Sequence, residues 1–246
     1  MEGGFFFYGN AEYPLVQLQN EQVAKAYSRW PVDVINLSRD DLFYARKLLR
    51  KEGFEERVAK LPMIKNLISA NAVFSQDETR SPTYSVKEIA GSRIHGGKGR
   101  IKIGFVGLAE SSAPGDGVRD ATVSDMFQAA TPAILKARKE CDVLIVVAHC
   151  DLEPALKLAA QNLEADVVIA ADAAGFYKTR QVANTLVITA APGNTQEGDL
   201  RLYIDKDGRV SFKFRATDLD ELVPSDPAAA AFVETARAER DRLRYN

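Results

Sequence analysis

Residues 142–149, Asp142-Val-Leu-Ile-Val-Val-Ala-His149, constrain this chain more than any other stretch. Six apolar residues in succession, rich in Val and Ile, form a strand that must be covered on both faces. Such strands belong to α/β folds with a largely parallel sheet. The run ends in one of only two histidines in 246 residues. In open α/β sheets ligand chemistry gathers at the carboxyl ends of strands. His149 is therefore either a hydrogen-bonded structural residue or part of a functional site, and the surrounding chain must decide.

With 46% apolar residues the chain can bury a sizeable core. A net charge of -2 creates no field that would hold a polyanion, so nucleic acid is not an expected partner. No apolar run approaches the length of a membrane span. The opening Met1-Glu-Gly-Gly-Phe-Phe-Phe-Tyr8 has neither the basic region nor the long apolar core of a secretory signal. Cys141 and Cys150 lie along one strand, roughly 30 Å apart at about 3.3 Å per residue, beyond disulfide reach. No Cys/His cluster suggests haem or structural zinc.

In chain order, residues 4–8 read as a short strand entering a Gly9-Asn10 turn. Asn20 can cap a helix carrying Val23, Tyr27 and Trp30, closed by Pro31. A strand over 32–37 precedes Ser38-Arg-Asp-Asp41, a capping box for a helix over 40–52 that Gly53 stops. A short helix over 54–61 leads to a strand over 67–73. Residues 83–89 and 102–108 pair around Gly96-Gly-Lys-Gly99, which lacks the ending of a phosphate loop. A polar loop over 110–120 follows, then helices either side of Thr131-Pro132, reaching Glu140. Beyond the central strand come a helix over 152–162 behind Asp151 and a strand over 166–171. The pattern then changes to strands over 185–190, 200–204 and 210–214, with Lys206-Asp-Gly-Arg209 as a hairpin turn and Arg201 and Tyr203 on a wet face. A helical tail covers 227–243. No repeat or linker interrupts the chain, which suggests one domain with two packed sheets and helices outside.

Several of these segments together resemble the 5′-nucleotidase branch of the calcineurin-like metallophosphatases. Asp33-Val-Ile-Asn-Leu37 resembles the strand before that family's Gly-Asn-His-Glu motif, and Leu67-Ile-Ser-Ala-Asn-Ala72 a second characteristic strand. Ile101-Lys-Ile-Gly-Phe-Val-Gly-Leu108 and residues 142–149 resemble two more, the latter ending in a metal-binding His. Asp166-Val-Val-Ile-Ala-Ala171 resembles the strand before a Gly-His-x-His motif, and residues 190–202 the family's closing Gly-Asn stretch. The order holds from about residue 5 to residue 215. The resemblance implies an α/β fold, a four-layer α/β/β/α sandwich of two packed mixed sheets.

It also implies two clamped metal ions held by Asp, His and Asn side chains, and here most of those ligands are replaced. The opening Asp-x-His strand is absent. Gly9-Asn10 stands where the family has a bridging Gly-Asp, and Ser38-Arg39-Asp40-Asp41 where it has Gly-Asn-His-Glu. Ala171-Asp172-Ala173-Ala174 replaces Gly-His-x-His. Asn10, Arg39, Asp40, His149 and Asp172 are thus the residues of a vestigial site, with His149 the one match. Two arrangements are open. Asp40, His149 and Asp172 form a rebuilt hard-cation site, or Arg39 pairs with Asp172 or Asp40, its planar fork matching a carboxylate.

The expectation from the lost ligands is a domain without catalysis or resident cofactor, acting in binding or assembly with another protein. The alternative is an active phosphoesterase with manganese, zinc or iron. A third reading has Arg39 holding a nucleotide or anion without cleavage. The resemblance implies an exported or periplasmic protein. The tail, capped by Ser225 or Asp226 with Pro227 at its first position, has a narrow stripe of Phe232, Ala236, Glu239 and Leu243. It either lies on its own domain or faces a partner.

Overall fold

The structure, a computed structural model, describes residues 7, 13–74, 81–92, 98–110, 117–118, 121–171, 178–190, 196–205, 207, 209–220 and 223–245. Along the chain come α1 (Pro14–Arg29), β1 (Ile35–Asn36), α2 (Leu42–Leu48), α3 (Phe54–Lys60), β2 (Leu67–Ile68), β3 (Ala72–Phe74), β4 (Tyr84–Ser92) and β5 (Lys98–Ala109). The second half holds β6 (Gly117–Val118), β7 (Ala121–Val123), α4 (Met126–Arg138), β8 (Val143–His149), α5 (Leu152–Gln161) and β9 (Val167–Ala170). β10 (Thr179–Val182), β11 (Thr185–Thr189), β12 (Gln196–Ile204), β13 (Val210–Asp218) and α6 (Pro227–Tyr245) complete it.

The apolar run is the centre of the largest sheet, six strands in the order β10-β11-β9-β8-β5-β4. β5, β8, β9 and β11 are parallel, and antiparallel β4 and β10 close the edges. The two-residue side-chain period divides β8 between two cores. Leu144, Val146 and Ala148 pack with Ile134 and Ala137 of α4 and Leu158 and Ala159 of α5. Val143, Ile145 and Val147 face the other way, onto Val34, Ile68 and the apolar side of β12–β13. Each fully buried Val, Leu or Ile contributes about 1.5–3 kcal/mol.

That second face carries another layer, in which β1 pairs with β2 in parallel and β12 with β13 in antiparallel. A further core lies beyond it, where Leu37, Leu42 and Ala45 meet Ala24 of α1 and Val58 of α3. Helices, sheet, strands and helices thus stack in the four layers the sequence suggests. The strand layers touch closely at Gly107. A Cβ there would lie 2.4 Å from Asn36 Oδ1 and 3.0 Å from the Ile68 carbonyl oxygen, so only glycine fits.

Several local expectations need correction. The first helix begins at Pro14, suited to the first turn, so Asn20 is a buried mid-helix residue and not its cap. The helix expected over 40–52 is the shorter α2. Its end is held by Arg57, whose Nε donates to the Leu48 carbonyl at 3.0 Å and whose Nη1 donates to that of Glu52 at 2.7 Å. Gly53, at φ +64°, turns the chain into α3. The strand expected over 67–73 breaks at 69–71 into β2 and β3. Pro132 does not divide two helices but sits inside α4. Its lost hydrogen bond is tolerated because Ala130, Ala133 and Ile134 around it are buried on the sheet. Asp125 caps that helix, accepting from Gln128 N at 2.7 Å. β6, β7 and β10 were not expected. Cys141 and Cys150 are not bonded to each other. The expected strand over 4–8 (Phe7 apart), the Gly9-Asn10 turn, Gly96 and Gly97 of the Gly96–99 turn and much of 110–120 lie outside the described residues, as do Lys206 and Gly208.

Candidate functional site

The parallel strands bring their carboxyl ends to one rim. Ala109 of β5 stands in register with His149, and Ala148 with Ala170 of β9. Past the strands, Glu110 N donates to the His149 carbonyl at 2.9 Å, and Ala171 N to that of Ala148 at 2.8 Å. His149 follows the parity of Val143, Ile145 and Val147, so its half-buried side chain lies on the face toward β1 and β2.

Two asparagines inside apolar segments fix the rim. Asn36, fully buried, donates from Nδ2 to the Leu108 carbonyl at 2.7 Å. Asn71, also fully buried, accepts from Ala109 N at 3.0 Å and donates to the carbonyls of Ala109 and Ser124 at 2.7 and 2.8 Å. It ties the break between β2 and β3 to the end of β5 and the start of α4. Sequence reading gave neither residue a role, although an Asn within a buried strand must find partners.

The loop after β1 is built on Asp41, which has no solvent exposure. Its Oδ2 accepts from Ser38 N at 2.8 Å and from Ser38 Oγ at 2.6 Å, and Oδ1 accepts from Phe7 N at 2.8 Å. The reciprocal Ser38–Asp41 bonds read as a capping box are formed, but they close the turn before α2, whose own N-cap is Asp41 with no side-chain cap bond, and the same carboxylate also gathers the backbone at Phe7. The Phe7 ring lies 4.6 Å from that of Tyr44, whose hydroxyl pKa is pushed up to about 12 by burial and then by the charge of Glu21.

Between Ser38 and Asp41 the chain offers Arg39 and Asp40 to the surface. Arg39 Nε stands 3.5 Å from Asp40 Oδ1, with side chains 43% and 37% exposed. Of the two pairings open to Arg39, the one with Asp40 is present. At that exposure it contributes little to stability. Asn10 and Asp172 lie outside the described residues, and with them the pairing of Arg39 with Asp172 and the ligand role of Asp172. Cys141 lies at the opposite end of β8, its thiol pushed up by burial.

At this rim the described side chains include the His149 imidazole and the Asp40 carboxylate, the latter facing a guanidinium. Among the described residues no three His, Cys, Asp or Glu side chains group as a metal ion requires. The described residues by themselves do not supply the ligands of the two-metal centre the resemblance implies. No described helix is long and apolar enough to cross a membrane.

No family model matches the sequence, and no curated protein does. Solved structures do match. A calcineurin-like phosphoesterase of Bacillus subtilis superimposes with a TM-score of 0.71 at 16% identity, over 99% of this chain and 84% of its own. The fold is that of the calcineurin-like phosphoesterases. The 5′-nucleotidase precursor of Thermus thermophilus gives 0.73 at 15% identity, and the NAD nucleotidase of Haemophilus influenzae 0.69 at 14%. Each covers 98% of this chain, which spans 49% and 51% of those two longer chains. The metallophosphatase-like architecture is thus retained over nearly the whole chain at identities that speak only of fold.

Proposed function

We propose that this chain is a non-catalytic domain of 5′-nucleotidase-like metallophosphatase fold that acts by binding or in assembly with another protein. The observation that carries this reading is the Arg39–Asp40 pair, in the loop where the resemblance calls for metal-binding and catalytic side chains. A fixed guanidinium beside the carboxylate opposes a divalent cation by charge and occupies the acceptor by pairing. Strand ends, buried asparagines and the Asp41 clasp meanwhile keep the rim in place, so the scaffold outlasts the ligands. The test is turnover of p-nitrophenyl phosphate and AMP by the purified chain with added manganese, zinc or iron. No turnover above buffer is expected. Metal-dependent hydrolysis that is lost on His149→Ala would establish an active phosphoesterase instead.

A further inference from the structure

The terminal helix α6 is held differently from the other long helices. α4 and α5 each bury several side chains in the sheet core, whereas no described side chain of α6 is buried. Its contact is with α1, along a thin line. The Phe232 ring meets Trp30 edge-on with centroids 5.5 Å apart, and Gln22 Nε2 donates to Glu239 Oε2. Leu243 of the stripe read from sequence remains 46% exposed, and Val233 beside Phe232 is 43% exposed.

The helix is also equipped to persist away from the body. Asp226 Oδ1 accepts from Ala229 N at 2.8 Å and caps the first turn. An alanine-rich start follows, and Arg237 pairs with Glu234 at 2.7 Å within the helix. The described residues leading to it from β13 (Leu219, Asp220, Val223, Pro224, Ser225) are all exposed. Little apolar burial and an exposed connection are the marks of a segment that opens at low cost.

We propose that α6 is a detachable arm, which lifts from α1 as a unit while the four-layer body stays folded. Lifting uncovers Trp30 at the end of α1 and frees Phe232, adding its ring to the exposed Val233 and Leu243. The aromatic contact is the latch.

Hydrogen exchange of the full chain tests this, with the emission of its one tryptophan as a second readout. Amides of α6 are expected to exchange at least ~100-fold faster than those of β8. Phe232→Ala should red-shift Trp30 emission and speed α6 exchange further, with β8 exchange unchanged. Removing residues 227–246 should move the thermal transition of the body by less than ~2 °C. Exchange of α6 at the rate of β8, a parallel rise of both in Phe232→Ala, unchanged emission in that variant, or a drop of several degrees on removal would each overturn the proposal.

Discussion

Replacing Asp41 by alanine tests how the loop after β1 is held. The carboxylate is fully buried and accepts from Phe7 N, Ser38 N and Ser38 Oγ. The hydroxyl can rotate toward another acceptor, but the two amides cannot. A buried donor left without its acceptor costs about 1–3 kcal/mol, so two stranded amides give roughly 2–5 kcal/mol. For a chain of this length that lowers Tm by on the order of 10 °C. Urea unfolding followed by circular dichroism reads the loss as a fall in midpoint at constant slope. Asp41→Asn keeps the volume and one acceptor but turns an amide N–H toward Ser38, and should lose less than the alanine variant. Asp40→Ala is the internal comparison, since its half-exposed pair with Arg39 is worth under about 0.5 kcal/mol. If Asp41→Ala and Asp40→Ala unfold at the same midpoint as the parent, the buried carboxylate is not what organises the loop.

Three further outcomes follow from single positions. Gly107→Ala should destabilise by about 1–3 kcal/mol or prevent folding, because its methyl meets Asn36 and the Ile68 carbonyl; a neutral effect on Tm would show that the strand layers are not in contact there. Tyr44 ionises at about 12, above its ordinary 10, so its contribution is complete below pH 10 and is lost as pH rises through 12. Absorbance titration should show a tyrosine ionising near 12, and a Tyr44→Phe variant should lack it. Ala183, at φ +50° in the turn joining β10 to β11, should gain about 1 kcal/mol on replacement by glycine, measured by urea midpoint, and a loss would contradict the strain.

The central strand, its two-sided burial and the parallel order around it were legible because apolar runs of that length have few alternatives. The hairpin of β12 and β13 was legible from its alternation, and the terminal helix from its composition. What escaped was set by tertiary contacts. β10 has exposed Thr179, Arg180 and Gln181 and no apolar period, so only its pairing with β11 makes it a strand. β1 and β2 are two residues each because the chain leaves the pairing just after them, Ser38 N donating to Asp41 on one side and Ser69 N to the Pro82 carbonyl on the other. α2 ends early because a side chain nine residues after Leu48 takes its carbonyl, a long-range cap with no local signature. At the candidate site, the exchange between Ser38 and Asp41 was readable from their spacing, and Arg39 with Asp40 as one of the two pairings open to Arg39. The roles of Asn36 and Asn71 depend on which strand ends lie beside them, which residue order alone does not specify.

The most direct measurement is the metal content of the purified chain by elemental analysis after exchange into metal-free buffer. Arg39 against Asp40, and a rim without a three-ligand group among the described residues, predict manganese, zinc and iron each far below one per chain. One or two equivalents of any of them, displaced on replacing His149, would contradict the account.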